Sequence, residues 1–190
     1  MKNNTSIIVK IESNSKIRQE YYVHRVDENG NAQISKYGLF GVIDENDAII
    51  LPCIYQIILP IGKTPVQYDP GVLCFGEEGY AAVKLVGKWG VVDRFNKLVL
   101  PCIYDKVLSY SEGIFNVIKN GFCESINERG KTVVDFRYTQ ILPFTDGYAI
   151  CYIATKRYPN YSERYGILDK VVTTSSNPNN GLQFQTDDCP

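Results

Sequence analysis

Residues that could carry acid–base or nucleophilic chemistry are few in this chain of 190 residues. His24 is the only histidine, so a Ser-His-Asp or Cys-His arrangement has a single place to form. It lies in a strand-like N-terminal segment, and nothing beside it in the sequence supports catalysis. We therefore expect no catalytic residue and predict that the protein is not an enzyme.

Carboxylates recur at regular places and suggest acid–base or metal chemistry at first sight. Asp44, Asp93 and Asp169 each end a predicted strand, and Asn127 holds the corresponding place in a third segment. A residue that returns in every segment favours a structural role. Because Asp and Asn side chains accept hydrogen bonds from turn backbone, we expect Asx-turns at these positions.

The six cysteines raise the question of disulfides, metal binding or redox chemistry. Cys53 and Cys102 occupy the same place in two similar segments, and no C-x-x-C spacing is present. Nothing in the sequence indicates export, so a reducing cytosol would keep the thiols free. We expect small hydrophobic core residues here, with no metal site and no cofactor.

Charge and hydropathy exclude several classes of partner. Twenty basic residues against twenty-one acidic ones, without a basic run, signal neither nucleic acid nor an anionic membrane. The apolar positions between Ile7 and Ile11 are too short for a signal-peptide core. No segment approaches the roughly 20 apolar residues of a membrane-spanning helix. Phosphate-loop, dinucleotide and zinc-protease motifs are absent, and a cytoplasmic protein is expected.

Stretches of the chain repeat one another, and this sets the architecture. Gly30 to Asp44 superposes without a gap on Gly79 to Asp93, and the sequence Leu-Pro-Cys-Ile-Tyr occurs at Leu51 and again at Leu100. Units that cannot bury an apolar face alone must stack to do so. The chain is therefore predicted to be a tandem array.

Each unit opens with an acidic residue and glycine, followed by a strand, a tight turn such as Asn120-Gly121, and a returning strand with an aromatic-glycine pair. A second turn leads to a third strand, which is predicted to end at proline in two units. A tyrosine and then a loop through Tyr110 or Phe144 complete the unit. The recurring structural positions are Trp89, Gly90, Gly41, Tyr55, Tyr104 and Tyr138.

The predicted fold class is all-β, with about three short antiparallel strands per unit, stacked as a β-meander array that is either open and solenoid-like or curved and propeller-like. An N-terminal β cap covers residues 1–29, and a polar C-terminal tail covers residues 171–190. Four units lie between them, at residues 30–78, 79–112, 113–146 and 147–170.

Two insertions interrupt the period of 34 residues that separates Gly79 from Gly113 and Gly113 from Gly147. The first unit is longer before Gly79, in a segment that contains Pro65 and Tyr68, and the fourth has a longer hairpin. Insertions in repeat arrays map to loops, often on the binding face. Arginine and tyrosine are enriched in interface hot spots. The candidate binding residues are therefore Arg157, Tyr158, Tyr161, Arg164, Pro65 and Tyr68.

The second unit carries Gly-Lys-Trp-Gly-Val-Val-Asp from Gly87 to Asp93, then Leu-Pro-Cys-Ile-Tyr and Ser-Glu-Gly. This order of residues resembles the WG repeat, also called the KWG repeat, of bacterial proteins. The resemblance covers roughly Gly30 to Lys170, although the third unit has Cys123-Glu124 in place of Trp-Gly. It implies an all-β repeat scaffold with a role in binding, and it carries over no active site.

Two functions remain open on the sequence alone. The leading expectation is a non-enzymatic protein–protein interaction module, serving as a regulatory, inhibitory or assembly subunit of a larger bacterial complex whose other members the sequence does not identify. The alternative is carbohydrate or small-ligand binding through exposed aromatic rings such as that of Trp89, because flat rings stack on sugars. Core packing of these rings is the competing interpretation.

Overall fold

Four antiparallel sheets of four strands follow one another along the chain. The structure is a computed structural model that describes residues 20–62, 74–157, 160–170 and 182–185. Within those residues it contains sixteen β-strands, and in each sheet the strands pair in the order of the sequence. Every sheet is thus a simple meander, and the predicted all-β meander array is confirmed.

The strands have the following bounds. The first sheet contains β1 (Tyr22–Val26), β2 (Ala32–Lys36), β3 (Leu39–Ile43) and β4 (Ile49–Tyr55). The second contains β5 (Ile57–Pro60), β6 (Tyr80–Leu85), β7 (Lys88–Asp93) and β8 (Leu98–Tyr104). The third contains β9 (Lys106–Ser111), β10 (Ile114–Lys119), β11 (Phe122–Asn127) and β12 (Thr132–Tyr138). The fourth contains β13 (Gln140–Ile141), β14 (Tyr148–Arg157), β15 (Asn160–Asp169) and β16 (Leu182–Gln185).

The segment after the tyrosine adds a further strand to the predicted meander, where a loop through Tyr110 was expected, so each sheet has four strands. Lys106–Ser111 pairs with β10 as strand β9, and Tyr110 belongs to it instead of to a loop. Its serines, Ser109 and Ser111, are buried although their type suggested a loop. Small hydroxyl side chains fit a crowded sheet face, which is why a polar composition is compatible with a strand here.

The chain passes from one sheet to the next within a single residue. Gln56, Asp105 and Thr139 each separate the last strand of one sheet from the first strand of the next. Their backbone amides donate hydrogen bonds to carbonyl oxygens in the second strand of the next sheet, and each N···O distance is 2.8 Å. Strand four of one sheet and strand one of the following sheet are therefore one extended segment with a bend.

Tight hairpin turns join the second and third strands of each of the first three sheets, as predicted. Asn120 and Gly121 have φ values of 53° and 83°, and Val86 and Gly87 have 48° and 79°. Left-handed backbone is unusual for a β-branched residue. The Val86 turn is held by Gln56, whose side-chain oxygen accepts a hydrogen bond from the Gly87 amide at 2.7 Å.

The glycine after each repeat aromatic lies where the neighbouring strand comes very close. A Cβ atom on Gly90 would stand 2.6 Å from the Leu100 carbonyl oxygen and 2.9 Å from the Cys102 amide nitrogen. Gly41 has the same surroundings in the first sheet. Only glycine fits such an approach of backbone. The first and second sheets thus share one local geometry.

The close approach coincides with a bulge in the neighbouring strand. Trp89 pairs with Tyr104 and Val91 pairs with Leu100, so three residues of β8 lie opposite the single residue Gly90. Pro101 is one of these three, and β8 continues through it to Tyr104. The prediction that this strand ends at proline is therefore wrong. Proline is tolerated inside the strand because a bulge leaves ladder positions unpaired.

Successive sheets pack on one another through one apolar cluster per contact. The first and second sheets share a cluster that includes Val42 and Ala81, and the second and third share one that includes Val91 and Phe115. A third cluster, with Ile114 and Cys151, joins the third sheet to the fourth. The predicted stacking of near-copies is what hides the apolar faces.

Each end of the repeat region adds one strand to the edge of a sheet. Strand β1 pairs with β2 at the edge of the first sheet, where a capping strand was expected, while the predicted strand at Ile7 to Ile11 lies outside the described residues. Within the predicted polar tail of residues 171–190, Leu182–Gln185 forms strand β16, which pairs with β15. Its alternation of Leu and Phe with Gln is typical of a strand.

Candidate interaction site

The fourth sheet exposes a row of apolar side chains on one face. Tyr148 is 54% exposed, Ile150 43%, Tyr165 39% and Ile167 53%. Ile150 lies directly opposite Ile167 on the neighbouring strand, and Tyr165 lies opposite the half-buried Tyr152. These five side chains form a contiguous apolar and aromatic surface on β14 and β15. We call it the forward face of the fourth sheet.

The same face is buried in each of the other three sheets, where it points toward the next sheet along the chain. The positions equivalent to Ile167 are Val42, Val91 and Ser125, and all three are 0% exposed. Ala82 and Asn116, equivalent to Ile150 in the second and third sheets, are also 0% exposed, and Gln33 at this position of the first sheet is half-buried. The repeat thus uses its forward face for sheet-to-sheet packing, and the fourth sheet leaves that face uncovered.

The opposite face of the fourth sheet is ordinary core. Ala149, Cys151 and Leu168 are buried in the cluster shared with the third sheet. At the other end of the array, Ala32, Ile34 and Ile43 of the first sheet are each 0% exposed. A closed ring would bury the forward face of the fourth sheet against the first sheet. The exposure of Ile150 and Ile167 therefore identifies an open array.

Sequence reasoning missed this surface, although a signal was present. The run from Tyr148 to Ile153 is apolar at every position, whereas β6 and β10 each contain polar residues. A continuous apolar run is typical of a strand that is covered on both faces. The fourth unit was interpreted as one more repeat, and its position at the open end of the array was not taken into account.

The residues predicted to bind are placed only in part. Pro65, Tyr68 and Tyr158 lie outside the described residues. For Arg157, Tyr161 and Arg164 the structure describes only the backbone. The insertion between Ala154 and Tyr161 lengthens the hairpin of the fourth unit, as predicted: strands β14 and β15 are each ten residues long and pair as far as Arg157 and Asn160.

The recurring acidic positions are turn residues. One side-chain oxygen of Asp44 accepts from the amides two and four residues later, at 2.9 and 2.8 Å. Asp93 and Asn127 repeat this pattern at distances between 2.9 and 3.0 Å. The predicted Asx-turns are confirmed at these three positions. Asp27 forms a further turn of this kind before the first unit.

A pocket of about 620 Å³ lies where turns of the first and second sheets meet. Asp27, Glu28 and Glu77 bring three carboxyl groups to its wall, and Arg94 brings a guanidinium group that packs over Gly79. The Phe95 ring lines the same pocket and is 84% exposed. Carboxylates, amides and an open aromatic ring are groups that can hold a polar ligand.

A tyrosine–glutamate cluster joins the second and third sheets. Glu128 accepts hydrogen bonds from the hydroxyl groups of Tyr80, at 3.0 Å, and of Tyr110. The Tyr110 ring packs on Phe115 with the centroids 4.5 Å apart. Burial, followed by the bond to Glu128, raises the pKa of both tyrosines. Both phenols are therefore protonated donors, and the cluster acts as a structural connection.

His24 and the described cysteines have the following surroundings. The Nε2 atom of His24 is 2.7 Å from Ser35 Oγ on the exposed part of the first sheet, and partial burial lowers its pKa. Burial raises the pKa of the described cysteines, to about 12 for Cys74 and about 11 for Cys151. The five described cysteines are free thiols. High pKa values keep them protonated and weakly nucleophilic at neutral pH.

The described ranges contain neither a metal-binding cluster nor a membrane-spanning helix. There, no group of three or more His, Cys, Asp or Glu side chains is arranged to hold a metal ion. Across the same residues, no helix is both long enough and apolar enough to cross a membrane.

A stack of four-stranded meanders that bury their apolar faces against one another defines a β-repeat protein. A family model of the WG containing repeat matches residues 89–121 and 126–150. The resemblance to the WG repeat is therefore confirmed in these segments. The shared geometry of Gly41 and Gly90 extends the repeat to the first sheet, outside the matched segments. No curated protein matches the chain.

Proposed function

We propose that this protein is a non-enzymatic protein–protein interaction module that binds through the forward face of the fourth sheet. The observation that carries the proposal is the exposure of Tyr148, Ile150, Tyr165 and Ile167 at positions that the other sheets use for packing. Contiguous apolar patches with aromatic residues mark interaction sites on soluble proteins. Tyrosine adds a polar group to a large apolar contact.

The rigidity of the scaffold supports a binding role. Strands β14 and β15 pair along ten residues without a register shift. A surface that is already ordered loses little conformational entropy when a partner binds. The extended hairpin carries Arg157, Tyr158, Tyr161 and Arg164, and we propose that it enlarges the same surface. Pro65 and Tyr68 are a second, separate candidate.

The biological setting is also a proposal. We infer a regulatory, inhibitory or assembly subunit of a larger bacterial complex in the cytoplasm. The match to a WG containing repeat, whose resemblance implies a role in binding, supports the role, and free thiols with raised pKa values suit a reducing compartment. Neither a cofactor nor a nucleic-acid partner is part of the proposal.

A matched pair of variants tests the binding surface. Ile150→Lys places a charge on the forward face, and Ile103→Lys places one on the second sheet at the same 43% exposure. Tagged wild-type protein and both variants would be crosslinked in the producing cells, purified and analysed by quantitative mass spectrometry. We expect Ile150→Lys alone to lose the captured protein. Equal capture by all three would contradict the proposal.

Binding of a carbohydrate or another small polar ligand is a second candidate, favoured by the pocket between the first two sheets. An exposed ring at Phe95, beside carboxylates such as Asp27 and Glu77, suits a polyhydroxylated ligand. Screening on a glycan array, followed by titration calorimetry of hits, tests this function. We expect Phe95→Ala to abolish binding and Phe122→Ala, on the third sheet, to preserve it. An array without hits would remove this candidate.

A further inference from the structure

We propose that one edge of the array, the edge that carries the hairpin turns between the second and third strands, binds the anionic surface of a lipid membrane. This edge, which we call the tip edge, contains the turns Tyr37-Gly38, Val86-Gly87 and Asn120-Gly121 of the first three sheets. It is separate from the forward face of the fourth sheet. The inference therefore goes beyond the proposed function and does not depend on it.

The three turns lie on one edge because residues between the sheets connect them. Strand β4 ends opposite the start of β3, beside the first turn, and Gln56 follows it directly. The side-chain oxygen of Gln56 accepts a hydrogen bond from the Gly87 amide at 2.7 Å. Asp105 connects the next two turns, because its carboxylate lies 2.5 Å from Lys88 Nζ and accepts from the Asn120 amide at 2.6 Å. These bonds fix the relative positions of the turns.

Apolar side chains occupy the outermost position of two of the turns. Tyr37 is 94% exposed and Val86 is 87% exposed, and their φ values are 54° and 48°. Asparagine, as at Asn120, is an ordinary residue for such a turn, whereas left-handed backbone is unusual for a β-branched residue. Exposure to water does not stabilise the fold through valine either. Residues that are unfavourable for folding at their positions point to a binding role.

Lysines surround the same turns. Within two residues of the turns, of Gln56 and of Asp105, all of which the structure describes, Asp105 is the only acidic residue, and the basic residues are Lys36, Lys84, Lys88, Lys106 and Lys119. Asp105 pairs with Lys88, and Glu20, which precedes β1, pairs with Lys36 at 3.3 Å. Lysines therefore outnumber carboxylates, and the tip edge has a net positive charge.

Acidic residues predominate on the opposite edge of the array. Glu28 and Glu77 line the pocket between the first two sheets, and Glu45 and Glu112 lie in further turns of that edge. The overall formal charge of -1 conceals this separation, because the lysines are far apart in the sequence and only the fold brings them together. Such a charge distribution orients the tip edge toward a negatively charged surface.

A lipid surface fits these features better than a protein or a nucleic acid. The cations within the tip edge are lysines, which act as point charges and lack the bidentate geometry by which arginine recognises a phosphate or a carboxylate. The apolar side chains are on separate turns, whereas the core of a protein interface is contiguous. Separate apolar tips can enter the boundary between headgroups and acyl chains, where tyrosine is also favoured.

The hairpin of the fourth sheet projects from the same edge. The Thr139 amide donates to the Tyr152 carbonyl oxygen, as the amides of the other two linker residues do in their sheets, and β14 continues for five residues beyond this point to Arg157. A flat surface that meets this long hairpin and the first turn would lie farthest from the third turn. That turn has the polar Asn120 at its outermost position. Lys156 and Arg157 add basic residues to the end of the hairpin.

Co-sedimentation of the full chain with lipid vesicles tests the proposal. Vesicles of equal parts phosphatidylglycerol and phosphatidylcholine should bind the protein, vesicles of phosphatidylcholine alone should not, and added salt should weaken the binding. Lys106→Gln should lower the partition coefficient about fivefold. Lys97→Gln, on the opposite edge, should change it less than about twofold. A chain that does not bind the anionic vesicles would overturn the proposal, as would equal effects of the two variants.

The Val86 turn separates membrane insertion from folding. Val86→Asn reproduces the Asn-Gly turn of the third sheet, so it should preserve or raise the midpoint of urea unfolding while it weakens vesicle binding roughly fivefold. Leu98→Asn replaces a side chain that is 53% exposed near the opposite edge of the second sheet, and it should preserve vesicle binding. An unchanged partition coefficient for Val86→Asn would refute insertion of the tips.

The fluorescence of the single tryptophan gives a measurement on the wild type. Trp89 lies three residues after Val86, and Lys84 Nζ is 5.8 Å from the centroid of its ring. Brominated phosphatidylcholine in the anionic vesicles should therefore quench its emission, and unquenched emission would contradict the proposal. Binding of a polyglutamate peptide or an RNA, without binding of vesicles, would also overturn it. Protein capture through Ile150 tests a different surface, so its outcome is independent of these results.

Discussion

Val91 and Ile167 hold the same position of the repeat in the second and fourth sheets, yet Val91 is fully buried and Ile167 is half exposed. Both residues pair in the same way with the preceding strand, Val91 with Ala82 and Ile167 with Ile150, so the difference in exposure comes from the neighbouring sheet. A repeat buries its forward face only when another sheet follows. The fourth sheet therefore has a surface built for packing and a second surface, with Cys151, that is already packed.

The two sheets also differ at the glycine that follows the aromatic residue. Gly90 lies opposite a bulge, whereas Gly166 pairs in regular register with Cys151 and Phe184. The second sheet thus needs glycine at this position because the backbone of β8 lies very close to it. The backbone pairing of the fourth sheet does not impose this requirement. The aromatic–glycine pair therefore meets different steric requirements in the second and fourth sheets.

The largest expected effect is at the bulge. Gly90→Ala should cost about 3 kcal/mol of unfolding free energy, because the new Cβ meets backbone atoms of β8 that cannot move independently. Gly166→Ala should cost clearly less. Gly62→Ala, where the added atom meets nothing within 4 Å, is the control. Urea unfolding curves measure all three. Equal losses at Gly90 and Gly166 would remove the distinction between the two sheets.

The next effect concerns the paired forward positions. Val91→Ala should lower the unfolding free energy by roughly 2 kcal/mol, since it leaves a cavity between packed sheets. Ile167→Ala removes more atoms but should cost below about 1 kcal/mol in the monomer, because half of that side chain is in water. Urea unfolding of dilute samples of both variants measures the two losses of unfolding free energy. A larger loss at Ile167 would show that its face is covered within one chain.

The residue pattern allowed the repeat, its turns and its stacking to be predicted, because these depend on local chemistry. The Asn120-Gly121 turn and the Asx-turn at Asp93 follow from backbone preferences of single residues. The fourth strand was missed because Ser109 and Ser111 are polar by type, and only tertiary packing buries them. The secondary-structure propensity of a serine does not depend on tertiary packing, so it could not predict that these serines are buried.

The candidate site was less accessible to sequence reasoning. Exposure of Ile150 depends on what covers the fourth sheet, and no property of Ile150 itself contains that information. The third unit gives a related case, because Glu124 replaces the repeat glycine and is nevertheless buried, with its carboxylate accepting a hydrogen bond from Thr132 Oγ1. In the sequence, Cys123-Glu124 had been recognised only as a departure of the third unit from the Trp-Gly pair of the repeat.

A pH experiment tests whether the inner face of the fourth sheet is true core. Burial raises the pKa of Cys151 in the folded chain to about 11, above its ordinary value of 9.0. Its stabilising contribution is thus complete below pH 9 and is lost as the pH rises toward 11. About 1.4 kcal/mol should disappear by pH 10. Between pH 8 and pH 10, the unfolding free energy of Cys151→Ala should fall by less than that of the wild type. An unchanged decline would mean that the thiol is solvated.

The smallest expected effect separates turn chemistry from charge. Asp93→Ala removes an oxygen that accepts two backbone amides, at 2.9 Å each, and should cost about 1 kcal/mol. Asp93→Asn keeps an accepting oxygen, as Asn127 does in the third sheet, and should leave the unfolding free energy within about 0.5 kcal/mol of the wild type. Thermal unfolding of both variants decides the matter. A loss with Asn as large as with Ala would mean that the negative charge, and not the turn geometry, is what the position requires, and the equivalence of Asn127 with Asp93 would then fail.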